Sequence, residues 1–249
     1  MFVCVLDSGI GGLAICKSLE QNFTCPFVYF ADSAFCPYGD LPVDVLENRL
    51  QTLCRFWHKR GAVAIVLACN TASVLQPTLQ QETDVTILPI VQPTCQQIAR
   101  QGWAKVCVLA TKNTVQSGVY KSCLQSVGVE AQQIACPNFV PLVESGANLQ
   151  NCLPVVAKSL ALVEQDCQAI VLGCTHFGLL RGAMQQVSDL PILDCNNLCL
   201  PSLQSSLCLL GLQKLGDVVQ KTHQTMHFCS ANATKLCQTS GVQFNLLNV

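Results

Sequence analysis

Two segments of the chain are near copies of each other, and each places a cysteine directly after an apolar run. AIVLACNTAS occupies residues 64–73, and AIVLGCTHFG occupies residues 169–178. A second pair of copies, VCVLDS and VCVLAT, occupies residues 3–8 and 106–111. Both pairs are separated by almost the same length of chain, as expected after an internal duplication. The sequence therefore predicts two related halves, each carrying one of the two cysteines.

Short apolar runs alternate along the chain with longer, amphipathic, glutamine-rich stretches. This alternation predicts an α/β fold in which parallel sheets are flanked by helices. The runs are apolar almost throughout, which is typical of parallel strands buried on both faces. The predicted strands contain FVCVL, PFVYFA, AVAIVLA, TILPIV, KVCVLA, QQIACP, AIVLGC and PILDC. Together with the duplication, they predict two pseudo-symmetric domains, each built on a mostly parallel sheet.

The boundary between the domains is predicted near residues 92–95, because two prolines fall within LPIVQPT. After residue 199 the pattern becomes helical, and HFCSANATKLCQTSG then predicts a terminal strand and helix that complete the first domain. We also expect Pro77 to interrupt the helix that begins in TASVLQPTLQQ. The predicted domains are residues 1–93 with 204–249, and residues 94–203.

The composition argues against several classes of protein. Half of the 249 residues are apolar and 12% are charged, which is typical of a compact globular chain. The formal net charge is −1 and no basic run occurs, so we expect no nucleic-acid partner. No apolar stretch approaches about 18 residues and no basic leader precedes the first strand, which predicts a cytoplasmic protein without a membrane span. Most of the 18 cysteines are expected to be reduced and to serve as small buried apolar residues.

Polar side chains and two cysteines directly follow the predicted strands. Ligands of open parallel sheets bind beyond the carboxyl ends of the strands, so these residues are expected to share one rim in each domain. If the halves face each other through a pseudo-twofold axis, Cys69 and Cys174 lie opposite each other across a cleft. The residues in these positions are Asp7, Ser8, Asp32, Cys69, Asn70, Thr71, Thr111, Cys174, Thr175, His176 and Asp194.

Two opposed thiols suit a reaction in which one group removes a proton and the other returns one. The thiolate is the reactive form, and we expect the strand-to-helix turns and a protonated His176 to lower the pKa of both thiols. On opposite faces of an α-carbon, this chemistry is racemisation or epimerisation. Nearby hydroxyls and amides can hold carboxylates without a large positive charge, which favours a small amino acid as ligand. These groups belong to Ser8, Asn70, Thr71, Thr114 and Thr175.

Six motifs of the chain carry a resemblance to a known family: DSGIGG, CPYGD, ACNTAS, LATKNTVQSGVYK, PLVESG and GCTHFGLL. Together, over about residues 3–195, they resemble the glutamate racemases of the aspartate/glutamate racemase superfamily. The resemblance implies a cofactor-independent enzyme, without a metal, that interconverts L- and D-glutamate for peptidoglycan synthesis. It also implies an active site in the cleft between two α/β domains and a homodimeric assembly.

The same resemblance implies roles for individual residues. Cys69 would deprotonate one enantiomer and Cys174 the other. Asp7, Glu144 and His176 would assist the two thiols and tune their protonation. The residues that would bind substrate are Asp7, Ser8, Tyr38, Gly39, Asn70, Thr71, Thr114, Thr175 and His176.

A dinucleotide-binding fold is the first alternative. Gly9, Gly11 and Ala14 satisfy the loose G-x-G-x-x-G/A pattern, and Asp32 follows the next strand at a suitable distance, as in NAD-dependent oxidoreductases. However, Asp7 would place negative charge beside the pyrophosphate, and the paired cysteine segments would have no role.

A cysteine-rich metal-binding or thiol-redox protein is the second alternative, suggested by the cysteine content and by His223, His227 and Cys229. The chain has no C-x-x-C pair, which argues against a structural zinc site.

Within the superfamily, an aspartate racemase or another amino-acid racemase stays open, because one methylene of substrate length cannot be deduced from the residues. The two cysteines argue against a single-thiol decarboxylase.

Overall fold

The described strands of the protein form two sheets. The structure, a computed structural model, describes residues 1–214, 225–247 and 249. The strands in this part of the chain are β1 (Phe2–Asp7), β2 (Phe27–Ala31), β3 (Ala62–Leu67), β4 (Thr86–Pro89), β5 (Lys105–Ala110), β6 (Glu130–Ala135), β7 (Ala169–Gly173), β8 (Ile192–Asp194), β9 (Met226–Cys229) and β10 (Asn245–Leu246). Their order is β10-β9-β2-β1-β3-β4 in the first sheet and β6-β5-β7-β8 in the second. Every pairing between these strands is parallel, as predicted.

Helices connect the strands and flank both sheets. They are α1 (Leu13–Glu20), α2 (Val43–Lys59), α3 (Asn70–Ser73), α4 (Gln76–Gln81), α5 (Val91–Ala99), α6 (Lys112–Gln116), α7 (Val119–Ser126), α8 (Phe139–Glu144), α9 (Leu149–Leu160), α10 (Arg181–Met184), α11 (Cys195–Leu198), α12 (Leu200–Leu209) and α13 (Ala233–Ser240). Short 3₁₀ turns lie at Ser33–Phe35, Tyr38–Asp40 and Thr175–Leu180. The α/β fold class predicted from the alternating pattern is confirmed.

The longest helix, α2, shows how the sequence specifies these elements. Its buried residues recur at spacings of three and four, which places them on the face that packs against the first sheet. Asp44 lies in its first turn, and His58 and Lys59 lie in its last, as the helix dipole favours. The buried residues are Leu46, Leu50, Leu53, Cys54 and Trp57.

The two sheets repeat the same arrangement of strands. In the first sheet β1 lies between β2 and β3, and in the second β5 lies between β6 and β7. One pair of copied sequences forms β3 and β7, and the other pair forms β1 and β5. The predicted pseudo-symmetry of two halves is therefore confirmed. The carboxyl ends of these four strands present the residues that the duplication makes equivalent.

A continuous apolar core joins the two sheets. Val66 of β3, Leu109 of β5 and Leu172 of β7 are fully buried and belong to the same cluster of packed side chains. The opposite face of each sheet packs in a cluster of its own, which contains Trp57 in the first half and Tyr120 in the second. Burial of each large apolar side chain contributes about 1.5–3 kcal/mol, so this shared core holds the two halves together.

The C-terminal tail returns to the first sheet. β9 pairs with β2 and is followed by α13, so the predicted terminal strand and helix are confirmed. The chain crosses from β4 to β5 through α5, which includes residues 92–95. The predicted residue limits of the two domains stay a prediction.

The helix expected around Pro77 is divided into α3 and α4. Pro77 lies in the first turn of α4, where its missing N–H leaves no helical hydrogen bond unmade. The interruption therefore falls before the proline and not within the helix.

No disulfide joins any of the 18 cysteines, all of which lie in the described part of the chain. Among the described helices, none combines the length and the apolar character that a membrane crossing needs.

Candidate active site

The two cysteines of the copied segments occupy equivalent places at the ends of β3 and β7. Cys69 precedes α3, and Cys174 precedes the 3₁₀ turn Thr175–Leu180. Their backbones are extended in nearly the same way, with φ and ψ of −140° and 125° for Cys69, and −153° and 134° for Cys174. Both side chains are buried, at 6% and 5% exposure. Burial raises the pKa of Cys174 and the nearby Cys69 raises it further, so the two thiols lie within electrostatic reach of each other.

Burial keeps both thiols protonated. It raises the pKa of Cys69 to about 12, and the charge of Asp7 is the second cause. Backbone amides at the start of α3 and the Thr71 hydroxyl act in the opposite direction but are outweighed. The same holds for Cys174, whose pKa the amide of His176 lowers less than burial raises it. The turn amides do lower both pKa values, as expected, but the net shift is upward, because desolvation of a thiolate outweighs the few amides of such short turns.

Asp7 lies at the end of β1 and acts on both thiols, since its charge raises the pKa of each. Its fully buried carboxylate accepts hydrogen bonds from the Ser8 amide at 2.6 Å, from the Gly12 amide, and from the Thr175 hydroxyl at 3.1 Å. Burial raises the pKa of Asp7, although His176 and these donors act to lower it. Because Thr175 follows a strand of the second sheet, this contact joins the two halves.

His176 and Glu144 form a partly buried ion pair, with 2.6 Å between Nε2 and Oε1. Glu144 Oε1 also accepts a hydrogen bond from the Ile10 amide at 3.0 Å, which ties α8 to the turn after β1. Burial alone lowers the pKa of His176, but Glu144 and Asp7 outweigh it and the pKa is raised. Burial alone raises the pKa of Glu144, but His176 outweighs it and the pKa is lowered. The turn must approach closely, since a Cβ on Gly9 would overlap the Glu144 carboxylate.

Three threonine hydroxyls from both halves form a closed cluster next to Cys69. The hydroxyl oxygens lie 2.8 Å apart between Thr71 and Thr111, 3.2 Å between Thr71 and Thr114, and 2.9 Å between Thr111 and Thr114. Thr111 also caps α6, because its hydroxyl accepts a hydrogen bond from the Thr114 amide. Hydroxyls both donate and accept, so the cluster can turn a donor toward an anionic group.

Asn70, which follows Cys69, is held by two side chains of the second half. The Tyr120 hydroxyl donates to Asn70 Oδ1 at 2.7 Å, and Asn70 Nδ2 donates to Cys195 Sγ at 3.3 Å. All three of these side chains are buried. The contacts fix which way the amide points and leave it one further N–H and one further lone pair for a ligand.

The 3₁₀ turn at Tyr38 is anchored from both halves. Within the first half, the Tyr38 hydroxyl donates to Asp32 at 2.7 Å, and Arg49 makes two further contacts to the same carboxylate at 2.7 and 2.9 Å. From the second half, Asn113 Nδ2 donates to the carbonyls of Tyr38 and Leu41 at 3.1 and 2.8 Å. The turn is therefore held in place by side chains of both halves.

The predicted site residues come together at the carboxyl ends of the two sheets. They include Gly39, which approaches Thr111 so closely that a Cβ would overlap it. Their chemical roles stay a prediction. The structure adds residues that sequence reasoning missed. Some of them belong to the motifs CPYGD and LATKNTVQSGVYK, but no motif marks Arg49 or Cys195. The added residues are Cys36, whose thiol lies within 4.8 Å of ligand atoms of Glu144 and His176, and Arg49, Asn113, Tyr120 and Cys195.

The groups that a dinucleotide would need already have partners. The Gly12 amide, which would face a pyrophosphate, donates to Asp7. Asp32, which would accept from a ribose hydroxyl, forms an ion pair with Arg49 at 2.7 Å. The glycine-rich turn therefore serves the buried carboxylate of Asp7, and the geometry argues against the first alternative.

The histidines that suggested a metal centre near the C-terminus are explained differently. His227 packs against the rings of Tyr29 and Phe244, with centroids 6.2 and 5.9 Å away. Cys229 is fully buried in β9. His223 lies outside the described residues. None of these described contacts gathers metal ligands at this end of the chain.

A fold of two matched α/β halves that each supply one buried thiol, with the two thiols within electrostatic reach of each other, defines a class of proteins suited to proton transfer on both faces of a carbon. Comparison with known proteins narrows that class. The model of the Asp/Glu/Hydantoin racemase family matches residues 23–200. The chain therefore belongs to the Asp/Glu/Hydantoin racemase family.

Similarity to individual proteins extends over most of the chain. The glutamate racemase of Thermus thermophilus is 37% identical over 186 residues, which are 74% of this chain and 70% of that protein. The glutamate racemase of Streptococcus suis is 34% identical over 202 residues, which are 78% of this chain and 76% of that protein. The crystal structure of the Thermus thermophilus glutamate racemase in complex with β-chloro-D-alanine covers 99% of this chain and 96% of that one. Its TM-score is 0.85 at 30% identity.

Proposed function

We propose that the protein interconverts L- and D-glutamate, with Cys69 and Cys174 as the two bases. The observation that carries the proposal is the presence of two buried thiols at equivalent strand ends of the two halves, with Asp7 acting electrostatically on both. A racemase must act on both faces of the α-carbon, and one thiol from each half meets that need. The relatives named glutamate racemase support glutamate as the substrate.

The reaction is a proton removal followed by a proton delivery. A thiolate takes the α-proton, so that a C–H bond breaks, an S–H bond forms and an electron pair is left on the substrate. The opposite thiol then gives its proton to the other face, where a new C–H bond forms and a thiolate remains. Cys69 would act as base on one enantiomer and Cys174 on the other.

One thiol must first lose its proton, because burial keeps both protonated. Asp7 is the carboxylate whose charge reaches both thiols, and His176, which pairs with Glu144, closely follows Cys174 in the chain and acts on its thiol through its amide. We assign these three side chains the task of moving that proton and balancing the thiolate charge.

Substrate carboxylates would be held by neutral donors. The threonine hydroxyl cluster and the remaining N–H of the Asn70 amide can donate hydrogen bonds, and Asn113 of the second half holds the Tyr38 turn in place. The proposed binding residues are Asp7, Ser8, Tyr38, Gly39, Asn70, Thr71, Thr114, Thr175 and His176.

The test is turnover of each glutamate enantiomer in deuterated water without added cofactor, followed by circular dichroism and mass spectrometry. We expect both enantiomers to lose optical activity. The product should carry deuterium at the α-carbon while recovered substrate at early times does not, because the delivering thiol has exchanged with solvent. A product that keeps the original α-hydrogen would contradict two bases, and no loss of optical activity would contradict the function.

Aspartate is the necessary comparison substrate. One methylene in a pocket changes kcat/KM by roughly 10–200-fold, so preference for glutamate should be measurable in the same assay. Comparable turnover of aspartate would replace glutamate specificity with a broader amino-acid racemase and leave the two-thiol chemistry intact.

The cellular setting is part of the same proposal. Family resemblance supports an enzyme that needs no cofactor, acts as a homodimer in the cytoplasm and supplies D-glutamate for peptidoglycan synthesis. Activity should survive dialysis against a chelator, and light scattering should give twice the mass of one chain. A monomer with full activity would contradict the dimer, and activity that returns only after a cofactor is added would contradict cofactor independence.

A further inference from the structure

A third cysteine lies beside the proposed catalytic site and shares a small volume with two other potential metal ligands. Potential ligand atoms of Cys36, Glu144 and His176 all lie within 4.8 Å of one another. Cys36 precedes the Tyr38 turn in the first half, whereas Glu144 ends α8 and His176 follows β7 in the second. The cluster is therefore assembled from both halves, and the proposed proton transfer does not use its thiol.

The donor set of this cluster suits a borderline-soft divalent cation. Sulfur, imidazole nitrogen and carboxylate oxygen are the ligands that Zn²⁺ takes, whereas Mg²⁺ and Ca²⁺ prefer oxygen alone. Tetrahedral bonds of about 2.0–2.3 Å place neighbouring ligand atoms roughly 3.3–3.6 Å apart. The three side chains would therefore reach that geometry with movements of about 1 Å, and a fourth position would stay open.

The surroundings favour a cation at this position. The buried carboxylate of Asp7 lies in the same site, close enough to His176 to act on it electrostatically, and adds a second negative charge to that of Glu144. Cys36 and Glu144 are half-buried and His176 is buried, so a bound ion would be only partly hydrated and its attraction to these groups less screened.

Elsewhere in the described chain, a comparable group is formed by Glu164, Asp166 and Cys167. Its carboxylates are exposed, and Lys105 already forms ion pairs with both of them. A cation there would have to displace the lysine. Within the described chain, no lysine or arginine forms an ion pair with the cluster at Cys36, and Lys235 acts on Glu144 only electrostatically, so this cluster is the better candidate.

We propose that Cys36, Glu144 and His176 form a binding site for Zn²⁺ or a cation of the same chemistry, and that occupancy inhibits the enzyme. Inhibition follows because the ion would take Glu144 and His176 out of the pair that assists Cys174. The inhibitory consequence rests on the proposed racemase function, whereas the binding itself does not.

Binding is tested with Co²⁺, whose visible absorption reports tetrahedral coordination and whose near-ultraviolet absorption reports a thiolate ligand. The protein is the Cys69→Ser/Cys174→Ser double variant, which removes the other two thiols of the site. We expect it to bind one equivalent of Co²⁺ with a tetrahedral thiolate spectrum, and Zn²⁺ to displace it. Adding Cys36→Ser should abolish the spectrum, whereas adding Cys208→Ser, at an exposed thiol, should leave it unchanged.

Two results would overturn the site: the same spectrum with Cys36→Ser present, or no saturable binding by the double variant. Cys36→Ala is made in parallel, and melting curves of all variants confirm that any loss of binding is not unfolding. Both substitutions are small changes at a half-buried position.

Inhibition is tested on the protein with its catalytic thiols intact. Zn²⁺ should inhibit glutamate racemisation reversibly, with recovery on adding a chelator, and Cys36→Ser should need at least about tenfold more Zn²⁺ for the same inhibition. Equal inhibition of the two proteins would overturn the inhibitory role. If the unmodified protein does not racemise glutamate at all, the proposed function fails, and the Co²⁺ measurement still decides whether the site exists.

Discussion

The two thiols are carried by copied strands, yet their surroundings differ in charge. Asp7 acts on both thiols, but the other neighbours of Cys69 are neutral, namely the threonine hydroxyl cluster and the amide of Asn70. Next to Cys174 lies the ion pair of His176 with Glu144. The copied segments therefore place the two thiols alike, whereas the groups that surround each thiol differ. The two proton transfers of the proposed reaction are geometrically alike and chemically unlike.

Thermodynamics limits how this difference between the two sides can appear in the kinetics. The two enantiomers of an amino acid have equal free energy in water, so the equilibrium constant of a racemase is one and kcat/KM must be the same in both directions. A change on the charged side of the site cannot lower kcat/KM for one enantiomer alone. The effect of such a change can differ between the two enantiomers only in kcat and KM taken separately, or in the pH dependence of kcat and KM.

The largest expected effect comes from removing either thiol. Cys69→Ser and Cys174→Ser should each lower kcat/KM for both enantiomers by on the order of 10²–10⁴-fold, because an alcohol is a far weaker acid than a thiol and cannot serve as the base. The measurement is circular-dichroism turnover of each enantiomer. Cys208→Ser, on the exposed side of α12, is the matched control and should keep full activity. Wild-type turnover by either active-site variant would remove that thiol from the mechanism.

The next effect comes from neutralising the charged side alone. Glu144→Gln should lower kcat/KM by about 10–100-fold, which corresponds to a charge-assisted hydrogen bond of about 1.5–3 kcal/mol. The loss should be equal for both enantiomers in kcat/KM and unequal in kcat. Full kinetics in both directions across pH provide the measurement.

The matched control for this variant is Glu82→Gln, because Glu82 forms an exposed ion pair with Arg55 at 3.2 Å far from the site. Exposed pairs contribute about 0–1 kcal/mol, and this one has no contact with the thiols. If Glu144→Gln costs no more activity than Glu82→Gln, the charge difference between the two sides has no catalytic meaning.

A smaller effect is expected from removing the contacts that Asn113 makes with the Tyr38 turn. Asn113→Ala removes two hydrogen bonds to the carbonyls of Tyr38 and Leu41, each of about 1 kcal/mol, and should raise KM by about tenfold with a lesser change in kcat. Gln116→Ala removes an exposed amide from the same helix and serves as the control. A lower melting temperature with unchanged KM would show that Asn113 only stabilises the fold.

The sequence predicted the symmetric part of the site better than the asymmetric part. Cys69 and Cys174 follow copied apolar strands, and the side-chain pattern of a buried parallel strand is a local signal. Asn113 carries no such signal, because its partners at Tyr38 and Leu41 lie more than 70 residues earlier in the chain. Such contacts arise only when the two halves pack.

The pKa of the thiols could not be obtained from local sequence for a related reason. The amides at the start of a helix give one contribution whose sign is known in advance, and they do lower the pKa of Cys69. The larger contribution is burial, which depends on the whole fold. Arg49 illustrates the same limit, since its ion pair with Asp32 orients Tyr38 without any motif that marks it.

The smallest expected effect is on stability, and it tests whether the charged pair exists in solution. The pKa of Glu144 is lowered, so its contribution is present above its ordinary value of 4.5 and is lost as the pH falls through the lowered value. The pKa of His176 is raised, so its contribution is present below its ordinary value of 6.5 and is lost as the pH rises through the raised value. The pair therefore stabilises the fold most between those two pH values.

Melting temperatures of the wild type and Glu144→Gln, measured from pH 3 to 9, check this directly. Their difference should be largest between about pH 4.5 and 6.5, at about 2–4 °C for each kcal/mol contributed by the pair, and should shrink on both sides. Glu82→Gln should show no such maximum, because its ion pair is exposed to solvent. A difference that is flat across the whole range would mean that Glu144 and His176 are not both charged at any pH. The two sides of the site would then differ in shape but not in charge.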